Sequence, residues 1–340
     1  MTNRRKFIKQ VAAAGILSSI PNVLLPQQKC SDRKIWACLL QLSVNMWKGH
    51  LPYLQLSESL WNDALEKMAN VGLNMVVIDL GDGVKYESHP EIAVNNAWST
   101  TRLRDELAKI RKMGLEPIPK LNFSACHDAW LGVYSRMVST KEYYEVCRDL
   151  IAEVCDIFNT PRFFHLGMDE ENEVDGSQKD YDLIVIRQDQ LFWGDFYFLI
   201  GEVERNGVRP WVWSDLAWHK HDQFFREMPK SVLQSNWYYD GGEINLNTLP
   251  DLPALNKTMV KTYSDLEAYG YDQVPCGSNH SNPGNFGKTV EYCKKIIDPS
   301  RLYGFIQTPW RITTEEFREH ILKSIELAGN AKNWFDKNNQ

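Results

Sequence analysis

Short apolar segments alternate with amphipathic segments along the chain from residue 35 onward. The apolar segments have the length of strands, and the segments between them carry apolar residues at helical spacing, as Leu103, Leu107 and Ile110 do. Strands that alternate with helices are typical of a parallel sheet, and eight such units predict a single α/β domain, a (β/α)8 TIM barrel. No Gly-rich phosphate loop follows the first strand, which disfavours an open nucleotide-binding sheet. The predicted strands cover residues 35–42, 75–80, 116–122, 162–168, 210–214, 232–237, 274–278 and 302–307.

The N-terminus has the pattern of an export signal. Arg4 and Arg5 precede an apolar stretch from Val11 to Leu25, which is the order of charged and apolar regions in a secretory signal. The adjacent arginines resemble the twin-arginine type. We therefore expect a signal segment over residues 1–30, a barrel domain over residues 31–340, and export to the periplasm or cell envelope of a bacterium. Beyond the signal, no apolar run is long enough to span a bilayer, so no transmembrane span is predicted in the mature chain.

Composition narrows the classes of function. The 340-residue chain has a net charge of -6, which disfavours nucleic-acid binding because phosphates are bound by concentrated Lys and Arg. The seven Cys form no CxxC pair, and no HExxH or paired-His spacing is present. We therefore predict no metal site and no cofactor. The 12 Trp residues include candidates for the apolar walls of a binding pocket.

Polar and aromatic residues collect where the predicted strands end. In a (β/α)8 barrel, these strand ends and the loops after them build the active site. The recurrence of carboxylates and indoles at this rim exceeds what a barrel needs for stability alone. The candidate site residues are His127, Asp169, Glu170, Trp213, Asp215, Trp237, Tyr238, Asp240, Trp310 and Arg311.

Asp169 and Glu170 are the candidate catalytic residues. Cleavage of a glycosidic bond needs an acid that protonates the leaving oxygen and a group that stabilises the anomeric carbon. Chain neighbours are poorly placed on opposite sides of a sugar ring, but they suit a mechanism in which one carboxyl donates the proton and the other holds a 2-acetamido group. Close carboxylates also push their pKa values apart, which favours one staying protonated. The pair therefore predicts a glycoside hydrolase with a glycan or oligosaccharide substrate.

A motif at the fourth strand carries a family resemblance. The run from His165 to Glu170, His-Leu-Gly-Met-Asp-Glu, resembles the H-x-G-G-D-E signature of glycoside hydrolase family 20, the β-N-acetylhexosaminidases, with Met168 in place of the second Gly. The resemblance implies an exo-acting, substrate-assisted retaining enzyme. Glu170 would be the general acid/base and Asp169 would orient the 2-acetamido group.

The same resemblance extends to other strand ends. Tyr238-Tyr239-Asp240 resembles the family's Y-x-D, which implies that Tyr238 binds the acetamido oxygen and Asp240 a sugar hydroxyl. It also implies a supporting role for His127 and an acetamido pocket walled by Trp213, Trp237 and Trp310. Arg311 stands where the family has a Glu, which makes a negatively charged glycan an additional hypothesis.

Two other interpretations stay open at this point. A retaining β-glycosidase would use Glu170 as the acid and a carboxylate such as Asp215 or Asp240 as the nucleophile on an acetamido-free sugar. A non-catalytic glycan-binding barrel would bind without turnover. A metal-dependent sugar isomerase is a weaker hypothesis.

Overall fold

The computed structural model describes residues 34–44, 51–171, 184–239 and 252–338. The predicted signal segment and Asp240 lie outside the described residues. None of the described helices has the length and apolar character needed to cross a membrane.

Eight parallel strands form the barrel. Each strand pairs with its chain neighbour from the first to the sixth, and the first also pairs with the eighth, which pairs with the seventh. Isolated parallel bridges, Gln234–Gln273 and Trp237–Cys276, join the sixth and seventh strand regions and complete the circuit. The predicted (β/α)8 barrel is therefore confirmed. The strands are β1 (Ile35–Gln41), β2 (Met75–Asp79), β3 (Glu116–Lys120), β4 (Phe163–His165), β5 (Arg209–Trp213), β6 (Leu233–Ser235), β7 (Cys276–Gly277) and β8 (Gly304–Gln307).

Helices surround the strands, and several begin at capping hydroxyls. Ser57, Ser99 and Thr140 each accept a hydrogen bond from a backbone N–H three residues ahead, which satisfies a donor that the first helical turn leaves free. The helices are α1 (Glu58–Asn70), α2 (Thr100–Lys112), α3 (Lys141–Ile157), α4 (Asp189–Arg205), α5 (Leu216–His219), α6 (His221–Glu227), α7 (Ala254–Ala268), α8 (Asn285–Ile296) and α9 (Arg318–Lys337). The long helix before β5, α4, begins two residues after Arg187.

Strand alternation divides the apolar residues into two cores. Along β1, Ile35, Ala37 and Leu39 face the inside of the barrel, whereas Trp36 and Cys38 pack outward against the helices. This follows from the two-residue period of a strand. The inner and outer faces of each strand can therefore be read from its sequence once the phase is known.

The fourth strand is shorter than predicted. It ends at His165 rather than Met168, because Gly167 and Met168 have left-handed backbone angles, with φ of 72° and 68°. Such residues cannot continue a β ladder. The chain turns at this point, at the carboxyl end of the strand, where barrel sites are built.

Candidate active site

The carboxylate pair follows a tight left-handed turn after β4. Glu170 also has a positive φ, 56°, so three of the four residues from Gly167 to Glu170 lie in a region that L-residues seldom occupy. At Gly167 a Cβ would overlap Asn122 Oδ1 and lie 2.8 Å from its Nδ2, so only glycine fits. This turn brings the two neighbouring carboxyls to one imidazole: His127 Nε2 lies 2.8 Å from Glu170 Oε2 and 3.4 Å from Asp169 Oδ2.

Asn122 connects the loop after β3 to the turn after β4. Its Nδ2 donates to Asp169 Oδ1 at 2.7 Å. Its Oδ1 accepts from the backbone N–H groups of Ser124 and Met168 at 3.1 and 3.2 Å. Asn122 and Asp169 are both buried, so the orientation of the Asp169 carboxyl is fixed from the side away from His127.

His127 is buried and faces negative charge. Burial lowers the pKa of its imidazole, but the Asp169 charge and the hydrogen bond and charge of Glu170 outweigh that effect and raise the pKa to about 10. At neutral pH the His127–Glu170 pair therefore holds a proton in its 2.8 Å contact. A carboxyl that must deliver a proton to a leaving group needs such a supply.

Asp215, at the end of β5, supports the same turn. Its Oδ2 accepts a hydrogen bond from the backbone N–H of Glu170 at 2.7 Å. Burial and the nearby Asp169 charge raise the pKa of the Asp215 carboxyl well above its usual range. A carboxyl that favours its neutral form is a weak nucleophile, so this position does not suit the nucleophile of the acetamido-free mechanism.

A second polar layer lies inside the barrel and was missed by sequence reasoning. Lys120 and Asp79 face inward from β3 and β2 and form a fully buried ion pair at 2.5 Å. The predicted strands contained both residues, but nothing in the alternation distinguishes a buried charge from an exposed one. His165, the next inward residue on β4, has its pKa lowered by burial and by the charge of Lys120, so it is neutral.

A buried ion cluster lies behind the carboxylate turn, the left-handed turn from Gly167 to Glu170. Arg187 binds both oxygens of Glu171, from Nε at 2.8 Å and from Nη2 at 3.0 Å, and its Nη1 lies 3.3 Å from Asp195 Oδ2. Its Nη2 also donates to the backbone carbonyl of Phe123 at 2.6 Å. In the sequence, a single Arg two residues before a helix carries no signal of this role.

The structure places the predicted aromatic residues on two sides of β6 and its extension. Leu233 faces the inner core, so Trp237 and Tyr239 also point inward, and their rings stack at 4.8 Å. Tyr238 points outward: it is buried in the outer core, and its hydroxyl accepts a 3.4 Å hydrogen bond from Asn256 of α7. The structure therefore does not bring Tyr238 to the site, and Tyr239 takes the inward position.

Trp213 and Trp310 complete the inward aromatic group. The Trp213 ring lies 4.4 Å from the His165 ring and 5.8 Å from the Trp310 ring. Arg311 is turned aside: it donates to the carbonyl of Trp310 at 2.9 Å, and its guanidinium lies 5.6 Å from the Phe317 ring centre. This orientation gives no support to the hypothesis that Arg311 binds an acidic glycan.

One group of ligand-type atoms has spacing that a metal ion could bridge. In the described part of the chain, atoms of His127, Asp169 and Glu170 lie within 4.8 Å of one another. The prediction that no metal or cofactor is used stays a prediction.

Comparison with solved structures identifies the fold. In comparisons by sequence, no family model and no curated protein matches the chain. A family 20 exo-β-N-acetylglucosaminidase from Vibrio harveyi matches in structure with a TM-score of 0.60, at 14% identity, over 88% of this chain and 54% of that one. This chain therefore shares the (β/α)8 barrel fold of that enzyme.

Two more solved structures support this assignment of the fold. A chitobiase from Flavobacterium johnsoniae matches with a TM-score of 0.61, at 15% identity, over 88% of this chain and 50% of that one. Dispersin B matches with a TM-score of 0.56, at 16% identity, over 88% of this chain and 100% of that one. The chain thus spans about half the length of the first two and matches the whole of the third. At these identities the likeness shows the fold alone.

Proposed function

We propose that this family 20-like barrel is an exo-acting glycosidase of the β-N-acetylhexosaminidase type with a substrate-assisted retaining mechanism. Glu170 is the general acid/base and Asp169 orients the 2-acetamido group. One observation carries the proposal: two neighbouring carboxyls meet at the buried His127, 2.8 and 3.4 Å from its Nε2, at the carboxyl end of the barrel strands.

In the first step, Glu170 transfers its proton to the glycosidic oxygen and the bond from that oxygen to the anomeric carbon breaks. The carbonyl oxygen of the 2-acetamido group forms the new bond to the anomeric carbon, and the aglycone leaves as an alcohol. Asp169 accepts the acetamido N–H and balances the positive charge that develops on the cyclised group. In the second step, the Glu170 carboxylate removes a proton from water, whose oxygen attacks the anomeric carbon. The bond from that carbon to the acetamido oxygen breaks, which regenerates the acetamido group and releases the sugar with its original configuration.

The inner wall of the barrel offers groups that suit a sugar. The side-chain amide of Gln41, the indole N–H of Trp213 and one oxygen of Asp215 are buried and have no hydrogen-bond partner among the described residues. Gln41 and Trp213 are the last residues of β1 and β5, and Asp215 follows Trp213 by two residues. Unmet buried donors and acceptors are costly, and hydroxyl or amide groups of a sugar are matching partners. Trp237 and Tyr239 supply apolar faces beside them.

The first test separates this mechanism from the alternatives. Glu170→Gln should lower kcat by about 10²–10⁴-fold on a natural glycan with a poor leaving group, and by much less on a nitrophenyl glycoside, which needs little protonation. Asp169→Asn should lower turnover of every 2-acetamido substrate. Glu142→Gln changes an exposed carboxylate on α3 and serves as the control.

Three results would contradict the proposal. Loss of less than tenfold in Glu170→Gln on a natural glycan would remove that residue from the acid role. Turnover of plain β-glucosides or β-galactosides with no preference for the 2-acetamido group would favour a carboxylate nucleophile. Binding of glycans without turnover, unchanged in Glu170→Gln, would favour the non-catalytic barrel.

We also propose that the protein is exported to the periplasm or cell envelope, on the evidence of the Arg4-Arg5 pair and the apolar stretch that follows it. Cell fractionation of the wild type and of a double variant, Arg4→Lys with Arg5→Lys, tests this. Export that is unchanged in the double variant would argue against the twin-arginine route.

A further inference from the structure

The Arg187 side chain is buried directly behind the carboxylate turn. It has 0% exposure. Besides the fork to Glu171, it contacts Asp195 of α4 and the carbonyl of Phe123 in the loop after β3. Its own backbone N–H also donates to Glu171 Oε1 at 2.9 Å. One guanidinium therefore ties together three separate segments of the chain.

The segments it joins are those that carry the catalytic contact. Glu171 directly follows Glu170, and its second oxygen accepts the backbone N–H of Ala125 at 2.7 Å, two residues before His127. The loop after β3 and the turn after β4 are thus both bound to one carboxylate, which Arg187 fixes in place. His127 belongs to the loop after β3 and Glu170 to the turn after β4, so the position of these two segments sets the 2.8 Å distance between their side chains.

Stability alone does not explain this cluster. Removing charges from water costs several kcal/mol per ion, and replacing a buried ion pair with apolar residues is often neutral or stabilising. What a buried guanidinium provides is geometry, since its planar fork binds a carboxylate and a carbonyl in fixed directions that a Lys cannot reproduce. The left-handed backbone of Glu170 adds to the need, because a strained residue keeps its conformation only when its surroundings impose it.

We propose that Arg187 is a positioning residue for the acid/base: it touches no substrate, and through Glu171 it holds Glu170 and His127 at hydrogen-bond distance. This rests on the proposed function for its kinetic consequence, but the geometry it predicts can be measured without turnover.

The experiment compares Arg187→Met and Arg187→Lys with Arg162→Met. Arg162 forms the same kind of fork with Glu116, at 2.7 and 2.5 Å, at the opposite end of the barrel strands. A misplacement of about 1 Å costs about 10²-fold in rate, so we expect Arg187→Met to lower kcat about 100-fold with KM within threefold. Arg187→Lys keeps the charge without the fork and should lie between it and the wild type. Arg162→Met should keep the wild-type kcat.

NMR titration of the His127 imidazole provides the readout that needs no substrate. In the wild type this imidazole should titrate near pH 10. In Arg187→Lys, which also serves if Arg187→Met fails to fold, the longer distance to Glu170 should lower that value by at least one unit, and in Arg162→Met it should not change. A His127 titration and a kcat that are both unchanged in folded Arg187→Lys and Arg187→Met would overturn the inference. If the wild type turns over no glycoside, the proposed function fails, and the titration alone still decides the role of Arg187.

Discussion

Gly167→Ala tests whether the left-handed turn and its contact with Asn122 hold the site together. Gly167 has a φ of 72°, and an L-residue in that region costs about 1–2 kcal/mol. The new Cβ would also displace the Asn122 side chain, which removes its bond to Asp169 and leaves buried groups unmet, at about 1–3 kcal/mol. We expect Gly167→Ala to lose about 2–5 kcal/mol of its free energy of unfolding, a large part of the about 5–15 kcal/mol that stabilises a typical domain.

Gly114→Ala is the matched control for this measurement. Gly114 has a φ of 82°, and a Cβ there would have no neighbour within 4 Å, so only the backbone term of about 1–2 kcal/mol applies. Denaturant unfolding of both variants gives the difference in their free energies of unfolding. Equal losses in the two variants would show that Asn122 yields without cost, and the account of the carboxylate turn would be wrong. Turnover by the folded fraction of Gly167→Ala should also fall, because Asp169 loses its fixed orientation.

Two further predictions concern His127 and the two tyrosines. The pKa of His127 is raised to about 10 in the folded protein, against about 6.5 in the unfolded chain. The stability that protonated His127 contributes is therefore complete below about pH 6.5 and is lost as the pH rises toward 10. The Tm of the wild type should fall over this interval, and the Tm of His127→Gln should fall less. An equal fall in both proteins would contradict the pairing of His127 with Glu170. Tyr239→Ala should raise KM at least tenfold, whereas Tyr238→Phe should leave KM within twofold, as measured on one 2-acetamido substrate; the reverse order would show that the inward position belongs to Tyr238.

The barrel could be predicted because each of its units repeats a strand and a helix. Alternating segments give the strands to within a few residues, and the errors lie at strand ends such as Gly167 and Met168. There the chain leaves the ladder for a left-handed turn that is held by its contact with Asn122 and by the hydrogen bond to Asp215. The periodicity of apolar residues carries no information about the Asn122 contact, since Asn122 is 45 residues from Gly167 in the sequence.

The candidate site residues also divide into those that the local sequence predicts and those that depend on contacts between distant segments. Asp169 and Glu170 could be proposed from the sequence because they are chain neighbours, and their catalytic roles stay predictions. Tyr238 was chosen over Tyr239 from the spacing of a motif, and a strand's two-residue period makes such a one-residue difference a change of face. Arg187 and Lys120 could not be predicted, because their partners come from distant segments that only the closed barrel brings together.

The barrel lumen contains buried polar groups at Gln41, Trp213 and Asp215. They imply a compromise between the thermal stability of the ligand-free protein and its affinity for a ligand. An apolar side chain at Gln41 should raise the melting temperature of the ligand-free protein, because none of the described residues forms a hydrogen bond with the Gln41 amide. The same change should reduce the rise in melting temperature that a given sugar concentration produces, since the stabilisation by a bound ligand grows with the logarithm of its affinity. A fold that keeps such buried polar atoms is less stable than it could be, and in return it can bind a ligand that pairs with them.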